Sequence, residues 1–143
     1  MTIQDINNRV NSRCESVPRS TDGSRDSYYY ARLFMAIGMV EAAEDIEPCP
    51  HQEADIYCTE TSYEEPYSHK PEVSIRVGGR EDTYKCGTPF FVQLRPDYSD
   101  IWETYITTVY ENRFTDTDYL SITPKQGEIG TKYEVRAKRM KED

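Results

Sequence analysis

The side chains with the most obvious chemical potential in this chain are Cys49, His51 and Cys58, which fall within ten residues of one another, with His69 and Cys86 further along. Thiolate and imidazole are the ligands zinc favours, but structural zinc sites usually bring paired cysteine or histidine knuckles. Here a single Cys-Pro-His step is followed by one cysteine, and the chain holds only two histidines. Cys49, His51 and Cys58 are therefore weak metal-ligand candidates, and the expectation is separate loop and core residues with no cofactor. A nucleophilic Cys or Ser needs an adjacent base, and both histidines lie in polar, proline-flanked stretches with no G-x-S-x-G elbow anywhere. The adjacent acids Glu44-Asp45, Glu64-Glu65 and Glu81-Asp82 lie in acidic or turn segments. General acid–base work needs a desolvated carboxyl, so these read as solvated surface. Gly78-Gly79-Arg80 is the only glycine pair, and neither phosphate-cradling glycine motif is present. The expectation is a protein that is not an enzyme.

Aromatic and charged residues point elsewhere. Twelve tyrosines stand against four phenylalanines, more phenols than a core of this size needs, since each buried hydroxyl wants a partner. Tyr28, Tyr29 and Tyr30 are consecutive, and tyrosine is enriched at protein interfaces. The net charge of −9 is uneven. Residues 33–69 carry nine acids and no Lys or Arg, whereas residues 70–143 hold thirteen acids and twelve bases, several of them in the last dozen residues. Nucleic-acid binding needs a basic face, so direct binding is not expected. Stacking on single-stranded bases wants arginines beside the rings, and Arg25 and Arg32 near Tyr28–Tyr30 are the only such cluster. An acidic belt beside a basic tail suits contact with a basic protein surface or with another copy of the chain. The interaction candidates are Tyr28, Tyr29, Tyr30, Glu60, Glu64, Glu65 and Tyr67.

These residues need elements to carry them. Residues 2–17 place Ile3, Ile6, Val10, Cys14 and Val17 on one helical stripe, and Thr2 with Asp5 resembles a capping box. A loop over Pro18–Arg25 leads into a second helix over Asp26–Ile46, the longest apolar run, with Ser24, Asp26 or Ser27 able to cap it and Pro48 and Pro50 to stop it. In that helix Leu33, Ile37 and Val40 fall on one side, and apolarity nearly all round predicts burial on more than one face. It is too short and interrupted to span a bilayer, and too apolar for a DNA-reading second helix. Small residues Ala36, Gly38, Ala42 and Ala43 would admit another backbone; the leading reading is a core helix packing on a sheet, and the sharper alternative is a subunit-contact helix.

Strands are expected over Ala54–Ser62, Glu72–Val77, Tyr84–Cys86 and Phe90–Leu94, with a hairpin turn at Gly78–Asp82. From Asp97 to Phe114, apolar pairs alternate with polar pairs, a rhythm that predicts a helix near 99–112, although the β-branched run Ile106–Val109 argues for a strand. Asp118–Thr123 and Lys132–Lys138 are expected to pair with each other.

The layout predicts one α+β domain over 1–143: a helical hairpin over 1–46, then over 47–143 a mainly antiparallel sheet interrupted by one further helix. No repeat or linker is found. The N-terminus is polar, without a secretory leader, so the four cysteines read as reduced thiols and the expected location is cytoplasmic, in a host cytoplasm or an assembled virion. No membrane partner is expected. The order of helix, antiparallel strands, helix and final strands resembles that of small phage head–tail connector and tail-completion proteins over the last two-thirds of the chain, which implies a ring-forming virion subunit. The alternative is a small acidic inhibitor of phage type, anti-defence and nucleic-acid-mimicking, that blocks a basic surface on a target protein.

Overall fold

The computed structural model describes residues 1–21, 25–50, 52, 54, 56–58, 62–64, 71–77, 84–112, 117–128 and 130–141. The chain opens with helix α1 (Ile3–Arg13), which begins where the sequence says it should. The Thr2 hydroxyl accepts from the Asp5 N–H at 3.1 Å while the Asp5 carboxylate accepts from the Thr2 N–H at 2.9 Å. This reciprocal capping box holds the Asp5 carboxyl below the usual carboxylate range. Ile3, Ile6, Val10 and Cys14 are buried along one side. Helix α2 (Ser27–Ala42) is capped by Asp26, whose carboxylate accepts from the Tyr29 N–H at 3.2 Å. It ends at Ala42, four residues short of Ile46 and before either proline, because Ala43 already turns into extended backbone. No helix among the described residues is long and apolar enough to cross a membrane.

Among the described residues eight strands follow: β1 (Ile56–Cys58), β2 (Ser62–Glu64), β3 (Pro71–Val77), β4 (Pro89–Pro96), β5 (Glu103–Thr108), β6 (Tyr110–Asn112), β7 (Thr117–Ile122) and β8 (Tyr133–Arg139). They form two antiparallel four-stranded sheets with orders β1-β8-β4-β5 and β2-β3-β7-β6. The class is α+β, but among the described residues no helix interrupts the strands: the helix expected near 99–112 is instead β5 and β6, split at the buried Val109. The physical reason is that β5 is covered on both sides. Tyr105 packs toward the space between the sheets and Ile106 toward the helices. Two adjacent apolar residues per repeat are then needed in a strand, and that mimics a helical rhythm. The β-branched run carried the correct signal.

The chain changes sheets four times, between β1 and β2, β3 and β4, β5 and β6, and β7 and β8, and the first and third crossings join strands at the sheet edges. At those edges β5 lies against β7 and β1 against β3, and the Thr107 hydroxyl meets the Ser121 carbonyl at 3.4 Å. The two sheets therefore pack face to face around a core of Val73, Ile75, Val77, Phe90, Val92, Leu94, Leu120, Ile122, Tyr133, Val135 and Ala137. A second core lies between the helices and the other face of the first sheet, where Phe91 and Met140 meet Ile6, Val10 and Ala36. β4 is buried on both faces for this reason.

Long-range pairing differs from the local expectation in two further places. Tyr84 and Lys85 belong to no strand, and β3 pairs with β2 and β7 rather than returning in a hairpin. The expected turn at 78–82 lies outside the described residues. β7 and β8 do not pair with each other: β7 joins β3 and β6, while β8 joins β4 and β1.

Candidate functional site

Only three of the sixteen residues of α2 are buried, Tyr28, Arg32 and Ala36, spaced four apart on a single line. Met35, Met39 and Val40 flank that line and pack on the second core. At 100° per residue the opposite line is Tyr30, Phe34 and Gly38, and all three are exposed. Tyr30 is 44% and Phe34 64% accessible, with their rings stacked at a centroid distance of 6.0 Å. Nothing lies within 4 Å of where a Cβ on Gly38 would be. The helix therefore presents a knob, a second knob and a notch along one outward ridge. Leu33 and Ile37, expected with Val40 on one buried side, sit half-buried on the flank nearer this ridge.

The acids around the end of α2 are also outward. Glu41, Glu44, Asp45 and Glu47 are all exposed. Negative charge at a helix C-terminus opposes the helix dipole, so this cluster does nothing for the helix itself.

The three tyrosines at the start of α2 part company. Tyr28 is buried beneath two guanidinium groups, Arg19 at 4.2 Å and Arg32 at 5.5 Å from its ring centroid. Tyr29 is half-buried, its hydroxyl donating to the Gly87 carbonyl; burial pushes this phenol up, with the Arg25 charge opposing. Tyr30 alone is outward. Glu60, Glu65 and Tyr67 lie outside the described residues, and Glu64 is in β2 with no described side chain.

The weak metal trio is not assembled into a described site. Cys49 is buried with its main chain held at both ends: its N–H donates to Gln93 Oε1 at 2.6 Å and its carbonyl accepts from Arg136 Nη1 at 2.8 Å. His51 and the Cys58 side chain lie outside the described residues. Among the described residues no group of three His, Cys, Asp or Glu side chains is placed to hold a metal ion.

Beside Cys49 lies the densest cluster of paired charge. Arg95 Nη2 meets Glu134 Oε2 at 2.6 Å, Arg136 Nη2 meets Glu134 Oε1 at 3.1 Å, and both guanidiniums stack on Trp102, at 5.3 and 4.6 Å. Burial raises the Glu134 carboxyl, but the hydrogen bonds from Arg136 and Arg95 outweigh it and hold the group below its ordinary value. A carboxylate shared by two guanidiniums is a structural clamp on the segment at Cys49, with no group left over to move a proton.

No protein-family model matches this sequence, and neither a curated protein nor a solved structure matches it.

Proposed function

We propose that this chain is a non-enzymatic assembly subunit that associates with a second copy of itself through the outward ridge of α2. The observation that carries the reading is the ridge itself: two stacked aromatic rings and an open glycine on a helix that buries only one line of side chains. Exposed aromatics in a continuous row mark interaction surfaces more often than they mark solvent-facing helix. The spacing also suits a two-fold contact. Tyr30 and Gly38 stand four residues to either side of Phe34, about 6 Å each way along the axis. Two antiparallel copies would set each Tyr30 over the partner's Gly38 and bring the two Phe34 rings together at the axis, an isologous arrangement in which every contact is made twice.

Burying the exposed part of Phe34 is worth roughly 1–2 kcal/mol per copy, so its loss from both copies should weaken the dimer by roughly 2–4 kcal/mol, one to three decades in Kd. Sedimentation equilibrium of the full chain and of Phe34→Glu tests this. A dimer that the variant turns into a monomer with unchanged secondary structure supports the reading; a wild-type monomer at every accessible concentration overturns it.

The virion setting was implied by an element order with a helix between strands, and β5 occupies that place; the proposal therefore stops at assembly. The second reading, an acidic inhibitor of a basic protein surface, draws on the exposed Glu41, Glu44, Asp45 and Glu47. It requires a monomer whose affinity for a basic partner falls steeply with added salt.

A further inference from the structure

On the sheet side of the start of α2 lies an open cavity of about 810 Å³, bordered by the turn at 85–89 and the end of β8. In a chain of net charge −9 its charged lining among the described residues is five cations, Arg19, Arg25, Lys85, Arg139 and Lys141, against one carboxylate, Asp26. Stacking and hydrogen bonds hold Arg19 and Arg25, and hydrogen bonds hold the main chain at Lys85 and Lys141. The Arg25 guanidinium lies over the Tyr29 ring at 5.4 Å and donates to the Cys86 carbonyl. Gly87, at φ +92°, leaves the room it occupies: a Cβ there would collide with the guanidinium. Arg19 lies over the Tyr28 ring and donates to its hydroxyl at 2.9 Å. The carbonyl of Lys141 accepts from the side-chain amides of Asn7 and Asn11, both at 2.9 Å, and that of Lys85 accepts from the Thr88 N–H and hydroxyl at 3.0 and 2.8 Å.

Three of the cations, Arg25, Lys85 and Lys141, have no carboxylate within salt-bridge distance among the described residues. Asp26 is committed through one oxygen to capping α2, and its other oxygen is buried with no hydrogen-bond partner among the described residues. Like charges gathered at a cavity repel one another, and a multivalent anion relieves that repulsion. Guanidinium forks and ammonium groups match phosphate oxygens.

We infer that this cavity is a binding site for a compact phosphate polyanion of diphosphate size, carried either as free pyrophosphate or on a nucleotide. The site goes beyond the assembly reading and is independent of it, since its lining includes Tyr28 and Tyr29 but neither Tyr30 nor Phe34. A nucleic-acid strand fits less well. It would run out over a chain whose residues 33–69 hold nine acids and no base, and the Tyr28 and Tyr29 rings are already covered by Arg19, Arg32 and Arg25 rather than open to a base.

Isothermal titration calorimetry of the full chain with inorganic pyrophosphate tests the inference. Saturable binding to one site per chain is expected, weakened at least about tenfold by Arg25→Ala and by Lys85→Ala and unchanged by Phe34→Glu. Lys85 is exposed, so that variant leaves the fold intact even if Arg25→Ala does not. Titration with ADP separates the sources: tighter binding than pyrophosphate assigns the site to a nucleotide, equal binding to the phosphates alone, and both support it. Pyrophosphate bound no better than sulfate, binding untouched by Lys85→Ala, or tighter binding of a single-stranded oligonucleotide overturns it.

Discussion

Gln93 is fully buried on the helix-facing side of β4 and holds the segment that follows α2 onto the sheet. Its oxygen accepts from the Cys49 N–H at 2.6 Å; its nitrogen donates to the Glu47 carbonyl at 2.8 Å and to the Thr104 hydroxyl at 3.2 Å. Gln93→Met keeps the volume and removes all three bonds. Cys49 is itself buried, so its N–H loses its only replacement for water, which costs about 1–3 kcal/mol. The Glu47 carbonyl belongs to an exposed residue and can recover a water, so its loss is nearer about 0.5–1 kcal/mol. The sum is a loss of roughly 1.5–4 kcal/mol, read as a lower urea midpoint with an unchanged denaturant slope. Cys49→Ala keeps the N–H and its bond, and is expected to cost well under half as much. A Gln93→Met loss below about 0.5 kcal/mol, or a Cys49→Ala loss that equals it, refutes the reasoning and returns the anchoring role to the thiol.

Two further outcomes follow from single contacts. Gly87→Ala forces an L side chain to φ +92° and into the Arg25 guanidinium; it should destabilise the fold by about 1–3 kcal/mol and lower pyrophosphate affinity at the same time, and calorimetry showing wild-type affinity in a folded variant would remove Arg25 from the site. Because Glu134 is held below its ordinary value by Arg136 and Arg95, its contribution to stability is present above the unfolded pKa and is lost as pH falls through the folded one. Urea midpoints measured downward from pH 6 should therefore fall less steeply in Glu134→Gln than in the wild type, and parallel curves would contradict the clamp.

How far the fold could be read from the sequence depended on range. The α1 capping box and its stripe of Ile3, Ile6 and Val10 use contacts three and four residues apart, and both form. The alternation of Val73, Ile75 and Val77 in β3 is equally local, and all three are buried. The pairings of β7 with β3 and of β8 with β4 and β1 join residues far apart in the sequence, such as Val73 with Ile122 and Ile56 with Ala137, and leave no local mark. β5 misled because a strand covered on both faces loses its period of two. In α2, apolarity all round was read as burial on more than one face, whereas the fold buries one line and leaves Tyr30, Phe34 and Gly38 outside. The basic cavity escaped notice because its cations come from three distant stretches, at 19–25, 85 and 139–141. Summing charge along the sequence hides them among the more numerous acids of an acidic chain.

The most direct test of assembly through α2 is sedimentation equilibrium of Gly38→Leu beside the wild type. Leucine should stabilise the isolated helix, by roughly 0.8 kcal/mol over glycine, and nothing lies within 4 Å to obstruct its Cβ. It would also fill the notch that receives the partner's Tyr30. The account predicts a variant that unfolds at equal or higher urea than the wild type, yet dimerises at least about tenfold more weakly. A variant that dimerises as tightly as the wild type would contradict the proposed contact.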